Sequence, residues 1–205
     1  MIAHISDDGF NREESVAEHT EKTTFLCQNK GARCGLAKVM ALCGISHDMG
    51  KNKQIFNDYL CADESDRRKL RGTIAHASTG AKYIYDRYHE NDGSTKVMVE
   101  MISYAVAAHH GLFDCVDVEH EDIFFKKVNE VEDYDEACRN AGQDYLDGYQ
   151  LDKIFNESVT EFRLVWNKIK NLFDRLTPLL IAENQQNARA KASECRLFLC
   201  AALQR

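Results

Sequence analysis

The chain contains several histidines and one aspartate whose types and spacing are typical of a metal centre. Asp48 directly follows a histidine in the segment HDMGK, and a second histidine pair lies further along the chain. Imidazole nitrogens bind first-row transition metals, and a carboxylate has two oxygens that can bridge neighbouring ions. The candidate ligands are His19, His47, Asp48, His76, His109 and His110. A set this rich in histidine around one aspartate predicts a dinuclear metal site, and two metals indicate phosphate-ester hydrolysis.

The elements that must position these ligands are helices. A first helix is predicted to begin after Asn11, with Glu14 three positions later as in a capping box, and to stop near Gly31. His19 lies in its first half. A second helix has an apolar stripe of Leu36, Met40 and Cys43 that His47 continues at helical spacing, so this ligand is predicted to point inward near the helix end.

Two more helices are predicted to carry the remaining histidines. The positions Met98, Met101 or Ile102, and Ala105 form a stripe that His109 extends, in a helix predicted to end at Gly111. His110 follows about 100° round the same helix end. His76 opens a further helix whose expected inner positions are Ala77, Ala81, Ile84 and Tyr88. Four helices that converge on one site make a bundle-like pocket.

Each histidine has an ordinary alternative as a hydrogen-bonded core residue, which is the commoner role of one histidine on an apolar stripe. The set as a whole favours ligands, because unpaired polar groups are costly in a core. This argument does not extend to the other three histidines, which are not candidate ligands: His4, His89 and His120. We expect His89 and His120 to be exposed and His4 to anchor the amino terminus.

The whole chain is predicted to be one all-α domain. It has 205 residues, of which 44% are hydrophobic, and a single proline, Pro178. Spacings of three and four recur throughout, while strand-like alternation is weak. Two late helices, one from Phe162 to Phe173 and one from Arg196 to Leu203, are expected to serve packing alone.

The charge balance excludes a protein that binds nucleic acid through overall positive potential, since the net charge is −7. Any such contact must be local. The candidate DNA-binding residues are Arg67, Arg68, Lys69 and Arg71. The alternative is a solvated face that balances the acidic residues just before it, and the sequence leaves both open.

Export and membrane insertion are not expected, because no basic leader with an apolar run and no bilayer-length apolar stretch occurs. We expect a cytoplasmic protein without a membrane partner. The eight cysteines form no C-x-x-C pair, which excludes a zinc ribbon and a thioredoxin motif.

The order H, HD, H, HH resembles the HD superfamily of metal-dependent phosphohydrolases. More narrowly, the chain resembles the HD nuclease domain of the CRISPR-associated helicase-nuclease of type I interference systems, over most of its first 111 residues. The segments that carry this resemblance are IAHISDDG, AEHT, HDMGKNKQIFNDYL, AHASTGAKYI and AAHHG.

The resemblance implies an HD-domain helical bundle that cleaves single-stranded DNA for antiviral defence. It implies a helicase domain, in cis or in trans, and an RNA-guided CRISPR surveillance complex as partners. By analogy His19, His47 and Asp48 hold one metal, and Asp48 holds the other together with the three later histidines. Asp48 and Lys51 are then the catalytic residues, with Lys51 facing a phosphate oxygen and no protein nucleophile required. Mn²⁺, Fe²⁺, Co²⁺, Ni²⁺ and Zn²⁺ all suit such ligands.

The chain departs from the family at a late segment, where R-x-x-x-S-x-L-x-x-A-D usually supplies an aspartate to the first metal. Here Arg196 to Arg205 resembles the start of that segment, with Cys200 in the serine position and no aspartate. We expect an excised amino-terminal domain of a longer helicase-nuclease, cut before that residue; the alternative is that Glu183 substitutes. No G-x-x-x-x-G-K-[ST] loop occurs, so ATP hydrolysis is not expected.

Two other functions are compatible with the same residues. One is an HD phosphohydrolase that acts on nucleotides, which turnover of deoxynucleotides would distinguish from DNA cleavage. The other is an inactive HD module that docks a partner. The complete set of six candidate ligands argues against the inactive module, because a scaffold has no need of an intact hydrolytic site.

Overall fold

The computed structural model describes residues 1–6, 12–70, 72–91 and 93–183, and for 178–183 it describes the backbone. These residues are mostly helical, which confirms the all-α fold class. The elements in chain order are β1 (Ile2–Ile5), β2 (Glu13–Ser15), α1 (Val16–Ala32), α2 (Ala37–Ser46), a 3-10 turn (Met49–Asn52), α3 (Gln54–Cys61), α4 (Glu64–Leu70), α5 (Ala77–Tyr88), α6 (Gly93–Ala107), α7 (Ile123–Asn129), α8 (Tyr134–Asp144), a second 3-10 turn (Leu146–Gly148) and α9 (Leu151–Glu183).

The chain opens with a small antiparallel pair of strands that the sequence did not predict. β1 pairs with β2 so that His4 lies opposite Glu14. Residues directly opposite one another in such a pair project to the same face. His4 and Glu14 therefore share one face of this hairpin.

Helix α1 begins later than predicted. Ser15 is its N-cap, because the Ser15 hydroxyl accepts from the Glu18 amide at 3.2 Å and the Glu18 carboxylate accepts from the Ser15 amide at 3.1 Å. This reciprocal pair is the capping box. The predicted start after Asn11 was wrong because Glu14 belongs to β2, and Asn11 itself lies outside the described residues.

Small residues bring the helices around the site into close contact. A Cβ on Gly44 of α2 would lie 2.6 Å from the Thr24 Cα of α1. A Cβ on Gly80 of α5 would overlap the Ser46 carbonyl oxygen of α2. These glycines therefore hold α1 and α5 against α2, the helix that ends at His47.

The buried faces of α2 and α6 differ from the apolar stripes predicted for them. In α2 the buried apolar side chains are Val39, Ala41, Leu42 and Ile45. The predicted inner positions Met40 and Cys43 are half-buried. A helix enclosed by neighbours on several sides has a buried face wider than a single stripe.

The predicted stripe of α6 was half right, and the helix is shorter than expected. Met98 and Ile102 are buried, but Met101 and Ala105 are exposed. The helix ends at Ala107, and a turn carries the two histidines that follow it. In α5 the predicted inner positions Ala81, Ile84 and Tyr88 are buried, whereas Ala77 is only half-buried.

The first part of α9 closes the core against α2 and α5. The Phe155 ring stacks on Tyr88 with centroids 3.8 Å apart, and the Tyr88 hydroxyl donates to Asp152 at 2.8 Å. α2 has no side-chain cap of its own, and the Glu161 carboxylate of α9 accepts from the Lys38 amide at 2.6 Å. That contact supplies an acceptor to an otherwise unpaired helix N-terminus.

The chain divides into two compact units, Met1–Arg163 and Leu164–Arg205. The late helix predicted from Phe162 to Phe173 is part of α9, in which Phe162 is buried and Leu172 is exposed. The helix predicted from 196 to 203 lies outside the described residues. None of the described helices combines the length and apolar character needed to cross a membrane.

Candidate metal centre

Six candidate ligands from four parts of the first unit meet at one place. His19 lies in the second turn of α1, His47 and Asp48 follow α2, His76 is the N-cap of α5, and His109 and His110 follow α6. Most of them therefore lie at helix ends, where side chains and free backbone groups can turn toward a common point. The convergence predicted from the sequence is present in the structure.

Asp48 is the centre of this cluster. Its Oδ2 lies 3.1 Å from His19 Nε2 and 3.2 Å from His47 Nε2. Its Oδ1 lies 3.4 Å from His109 Nε2 and 3.8 Å from His76 Nε2. The two carboxylate oxygens thus face two different pairs of histidines. His110 completes the second group through its Nε2, 2.6 Å from that of His76.

The other ring nitrogen of four histidines contacts an oxygen acceptor. For three of them it is a backbone carbonyl: Gly44 O at 2.8 Å from His47 Nδ1, Val106 O at 2.7 Å from His109 Nδ1, and Ile74 O at 3.3 Å from His76 Nδ1. For His19 it is the Glu14 carboxylate, 3.2 Å from Nδ1. A neutral ring that donates its Nδ1 hydrogen to one of these oxygens leaves Nε2 as an acceptor, which is the tautomer that can bind a metal through Nε2.

In that tautomer acceptors face one another inside the cluster. The Nε2 atoms of His19 and His47 are 3.1 Å apart. Asp48 Oδ1 is buried and has no hydrogen-bond partner among the described residues. Lone pairs that converge without hydrogens between them fit a cation, and imidazole with carboxylate suits a divalent transition metal.

The ligand atoms form two groups that share Asp48. One contains His19, His47 and Asp48, and the other contains Asp48, His76, His109 and His110; within each group the ligand atoms lie within 4.8 Å of one another. This cluster could hold metal, and its division at the aspartate is compatible with two ions.

The charge states of Asp48, His76 and His110 favour metal binding. Burial alone would raise the pKa of Asp48, but the contacts from His109, His19 and His47 outweigh it and hold the pKa well below its usual range. Burial lowers the pKa of His76 to about 4, and burial also lowers the pKa of His110. Asp48 is therefore ionised and these two imidazoles are neutral at pH 7, the forms that bind metal.

A comparison with known protein families shows the family of the chain. The family model described as "Cas3, HD domain" matches residues 8–196. The chain belongs to the Cas3 HD-domain family. No curated protein and no solved structure matches it. The resemblance drawn from the sequence is thus confirmed, and the family is one of CRISPR-associated metal-dependent nucleases whose HD domains bind divalent metals.

Lys51 of this Cas3 HD domain lies in the 3-10 turn directly after the His-Asp pair. Its ammonium is 2.8 Å from Asp48 Oδ2 and 3.2 Å from His4 Nε2. Gly50 lets this turn pack closely against His76, since a Cβ there would overlap the carbonyl oxygen of His76. The structure therefore places Lys51 beside the carboxylate on the side of the His19 group.

The sequence reasoning missed two residues beside the centre. His4 was expected to serve only as an anchor, yet its ring packs edge-on against His19 at 4.7 Å and its Nε2 contacts Lys51. Glu14 was read as part of a helix cap, yet it contacts His19. Both come from the β1–β2 hairpin, and the capping box at Ser15 and Glu18 was the available signal that Glu14 precedes the helix.

The other two histidines lie away from the cluster. His89 is half-buried, stacked on Tyr85 at 3.9 Å and paired with Glu100 at 3.1 Å, so its expected exposure was wrong. His120 is exposed as expected.

The proposed DNA-binding residues lie on α4, which packs against α3. Arg68 pairs with Glu64, and Lys69 pairs with Asp66 at 2.7 Å. Neither of these ion pairs involves a candidate metal ligand. Arg71, the segment 196–205 and the side chain of Glu183 lie outside what the structure describes.

Proposed function

We propose that this chain is a metal-dependent nuclease that hydrolyses phosphodiester bonds in single-stranded DNA. The observation that carries the proposal is the pair of ligand groups that share Asp48, whose buried Oδ1 has no hydrogen-bond partner in the described part of the chain. In this proposal His19, His47 and Asp48 hold one ion, and Asp48, His76, His109 and His110 hold the second. Membership of the Cas3 HD family supports it.

A pair of divalent ions would supply a water of lowered pKa and would neutralise the phosphodiester and its leaving oxygen. The chain's own residues set the geometry for that chemistry. Asp48 bridges the two ligand groups, and its burial excludes water from their shared carboxylate. The Nδ1 contacts to Gly44 and Val106 orient His47 and His109 with Nε2 toward the centre.

Lys51 contributes a fixed positive charge on one side of the centre. Its ammonium lies beside Asp48 Oδ2, where a phosphate oxygen bound at the same centre would also be within its reach. A positive charge held there stabilises the additional negative charge that develops as the phosphorus becomes five-coordinate. No side chain has to act as the nucleophile.

We further propose that the domain works with a helicase, in cis or in trans, that delivers single strands under the direction of an RNA-guided surveillance complex. The CRISPR-associated family supports this context. Arg67, Arg68, Lys69 and Arg71 are the proposed contacts to the DNA backbone. The exposed side chains of Arg68 and Lys69 on α4 support that role for these two, whereas Arg67 is half-buried.

The proposal is tested by offering the purified chain four substrates in parallel, each with Mg²⁺, Mn²⁺, Co²⁺, Ni²⁺ or Zn²⁺ and with EDTA. The substrates are circular single-stranded DNA, linear single-stranded DNA, duplex DNA and a mixture of deoxynucleoside triphosphates. We expect cleavage of both single-stranded forms with a transition metal and none with EDTA. Turnover of the triphosphates without strand cleavage would replace the proposal with a nucleotide phosphohydrolase, and inertness toward all four would contradict enzymatic function.

A further inference from the structure

The four histidines that face Asp48 differ in the kind of oxygen that their Nδ1 atoms contact. His47 and His109 each contact the carbonyl three residues earlier, and His76 contacts the carbonyl two residues earlier. All three lie at or beyond the end of a helix, where carbonyls or local turns offer free acceptors. Their orientation is therefore supplied by their own segments.

His19 has no such local acceptor. It lies inside α1, where each backbone carbonyl already accepts from the amide four residues later. Its Nδ1 instead contacts Glu14 Oε2 at 3.2 Å, while its Nε2 faces Asp48 at 3.1 Å. The acceptor for this ring comes from strand β2, a separate element.

Glu14 is itself held in place. Its Oε1 accepts from the Lys22 ammonium at 2.7 Å, and that contact, together with the weaker effect of His19, lowers the pKa of Glu14 although burial raises it. The pairing of His4 with Glu14 fixes the strand that carries it. A charged, half-buried carboxylate thus presents one oxygen to Lys22 and the other to His19.

We propose that Glu14 is a positioning residue that keeps the His19 hydrogen on Nδ1 and so presents His19 Nε2 to the metal centre. A carboxylate behind a histidine ligand fixes the ring and strengthens it as a donor, and removal of such a partner lowers metal affinity roughly 10- to 100-fold. This inference rests on the proposed metal-dependent function, because it assigns Glu14 a role only if His19 binds metal.

The test uses the whole chain with substitutions Glu14→Gln and Glu14→Ala, and Glu13→Gln as the matched control. Glu13 is the neighbouring, exposed carboxylate of the same strand. The first readout is isothermal titration with Mn²⁺. We expect Glu14→Ala to weaken one binding step roughly 10- to 100-fold, Glu14→Gln to weaken it less because its amide oxygen still accepts, and Glu13→Gln to leave it unchanged.

The second readout does not involve metal. Long-range ¹H–¹⁵N correlation spectra of the imidazoles in metal-free protein report which nitrogen of His19 carries the hydrogen. We expect Nδ1–H in the wild type and in Glu14→Gln, and a mixture of tautomers in Glu14→Ala. If Glu14→Ala does not fold, judged by circular dichroism, the near-isosteric Glu14→Gln carries the affinity test.

The outcomes separate the two proposals. A wild-type chain that binds no Mn²⁺ would overturn the proposed metal-dependent function. A wild-type chain that binds Mn²⁺, with affinity unchanged in both Glu14 variants and an unchanged His19 tautomer in Glu14→Ala, would leave that function intact and overturn the role of Glu14.

Discussion

The Lys51 ammonium lies 2.8 Å from the Asp48 carboxylate, and the two side chains are 4% and 3% exposed. A charge buried to this degree requires a partner, since an uncompensated buried ion is strongly destabilising. Lys51 contacts only Oδ2 of that carboxylate, whereas Oδ1 has no hydrogen-bond partner among the described residues. The buried lysine thus compensates the charge on one side of a carboxylate whose other oxygen belongs to a cluster that could hold a metal ion.

Replacing Lys51 with methionine should strengthen metal binding and weaken catalysis. A fixed positive charge next to a ligand oxygen repels a divalent ion, and charges about 4 Å apart interact by about 4 kcal/mol at an effective dielectric constant near 20. We therefore expect Lys51→Met to bind Mn²⁺ tenfold or more tightly in a calorimetric titration and to cleave DNA more slowly.

The matched control for that substitution is Lys53→Met. Lys53 is equally buried two residues away but contacts the Ala75 carbonyl at 3.4 Å instead of the carboxylate. Its Mn²⁺ affinity should match the wild type. Equal affinities in the Lys51 and Lys53 variants would show that Lys51 does not compete with metal for Asp48.

Asp48→Ala and His19→Ala should differ in metal stoichiometry. Asp48 belongs to both ligand groups, whereas His19 belongs to one. We expect Asp48→Ala to lose bound metal at both positions and His19→Ala to keep the ion held by the other group, as counted by elemental analysis after dialysis. The same metal content in both variants would argue against a bridging aspartate.

Gly80→Ala should destabilise the fold although alanine usually favours a helix. Added methyl groups in tight packing cost about 1–3 kcal/mol, and a Cβ at Gly80 would overlap the Ser46 carbonyl oxygen. We expect a loss of at least about 2 kcal/mol in urea unfolding. Gly148→Ala, where a Cβ would meet nothing within 4 Å, is the control. Equal stability of the two variants would mean that α5 and α2 are not in such close contact.

The basic residues of α4 are tested through the salt dependence of single-stranded DNA binding. Each phosphate contact contributes roughly 0.7 to the slope of log K against log salt. We expect the double substitution Arg67→Gln and Arg68→Gln to flatten that slope, measured by fluorescence anisotropy in an Asp48→Ala background, which is expected to leave the DNA uncut.

A control of equal charge removes Lys30 and Arg33, which are exposed at the end of α1. The same slope after either double substitution would mean that α4 makes no specific contact with the DNA backbone. In that case the ion pair with Glu64 would be the role of the positive charge of Arg68.

Much of the site could be predicted from the sequence because its ligands lie at helix ends. Helical periodicity locates an end such as that of α2, and the adjacent residues His47 and Asp48 then share it. The site residues that were missed come from strands of four and three residues, which are too short for periodicity to show. His4 and Glu14 meet the centre only through their cross-strand pairing, and a single sequence does not encode that pairing locally.

The start of α1 illustrates the same limit on a smaller scale. A serine or asparagine followed by glutamate three positions later occurs at both Asn11 and Ser15, so the two frames compete as capping boxes. Tertiary structure decides between them, because β2 pairs with β1 up to Ser15, and α1 begins at the next residue with Ser15 as its N-cap.

The most direct test of the account is cleavage of circular single-stranded DNA in Mn²⁺ by the wild type and Asp48→Ala side by side. A circle has no ends, so its linearisation reports hydrolysis of an internal phosphodiester. We predict that the wild type cuts the circle, that EDTA stops it, and that Asp48→Ala leaves the circle intact. Cutting by Asp48→Ala at the wild-type rate would contradict the assignment of catalysis to this centre.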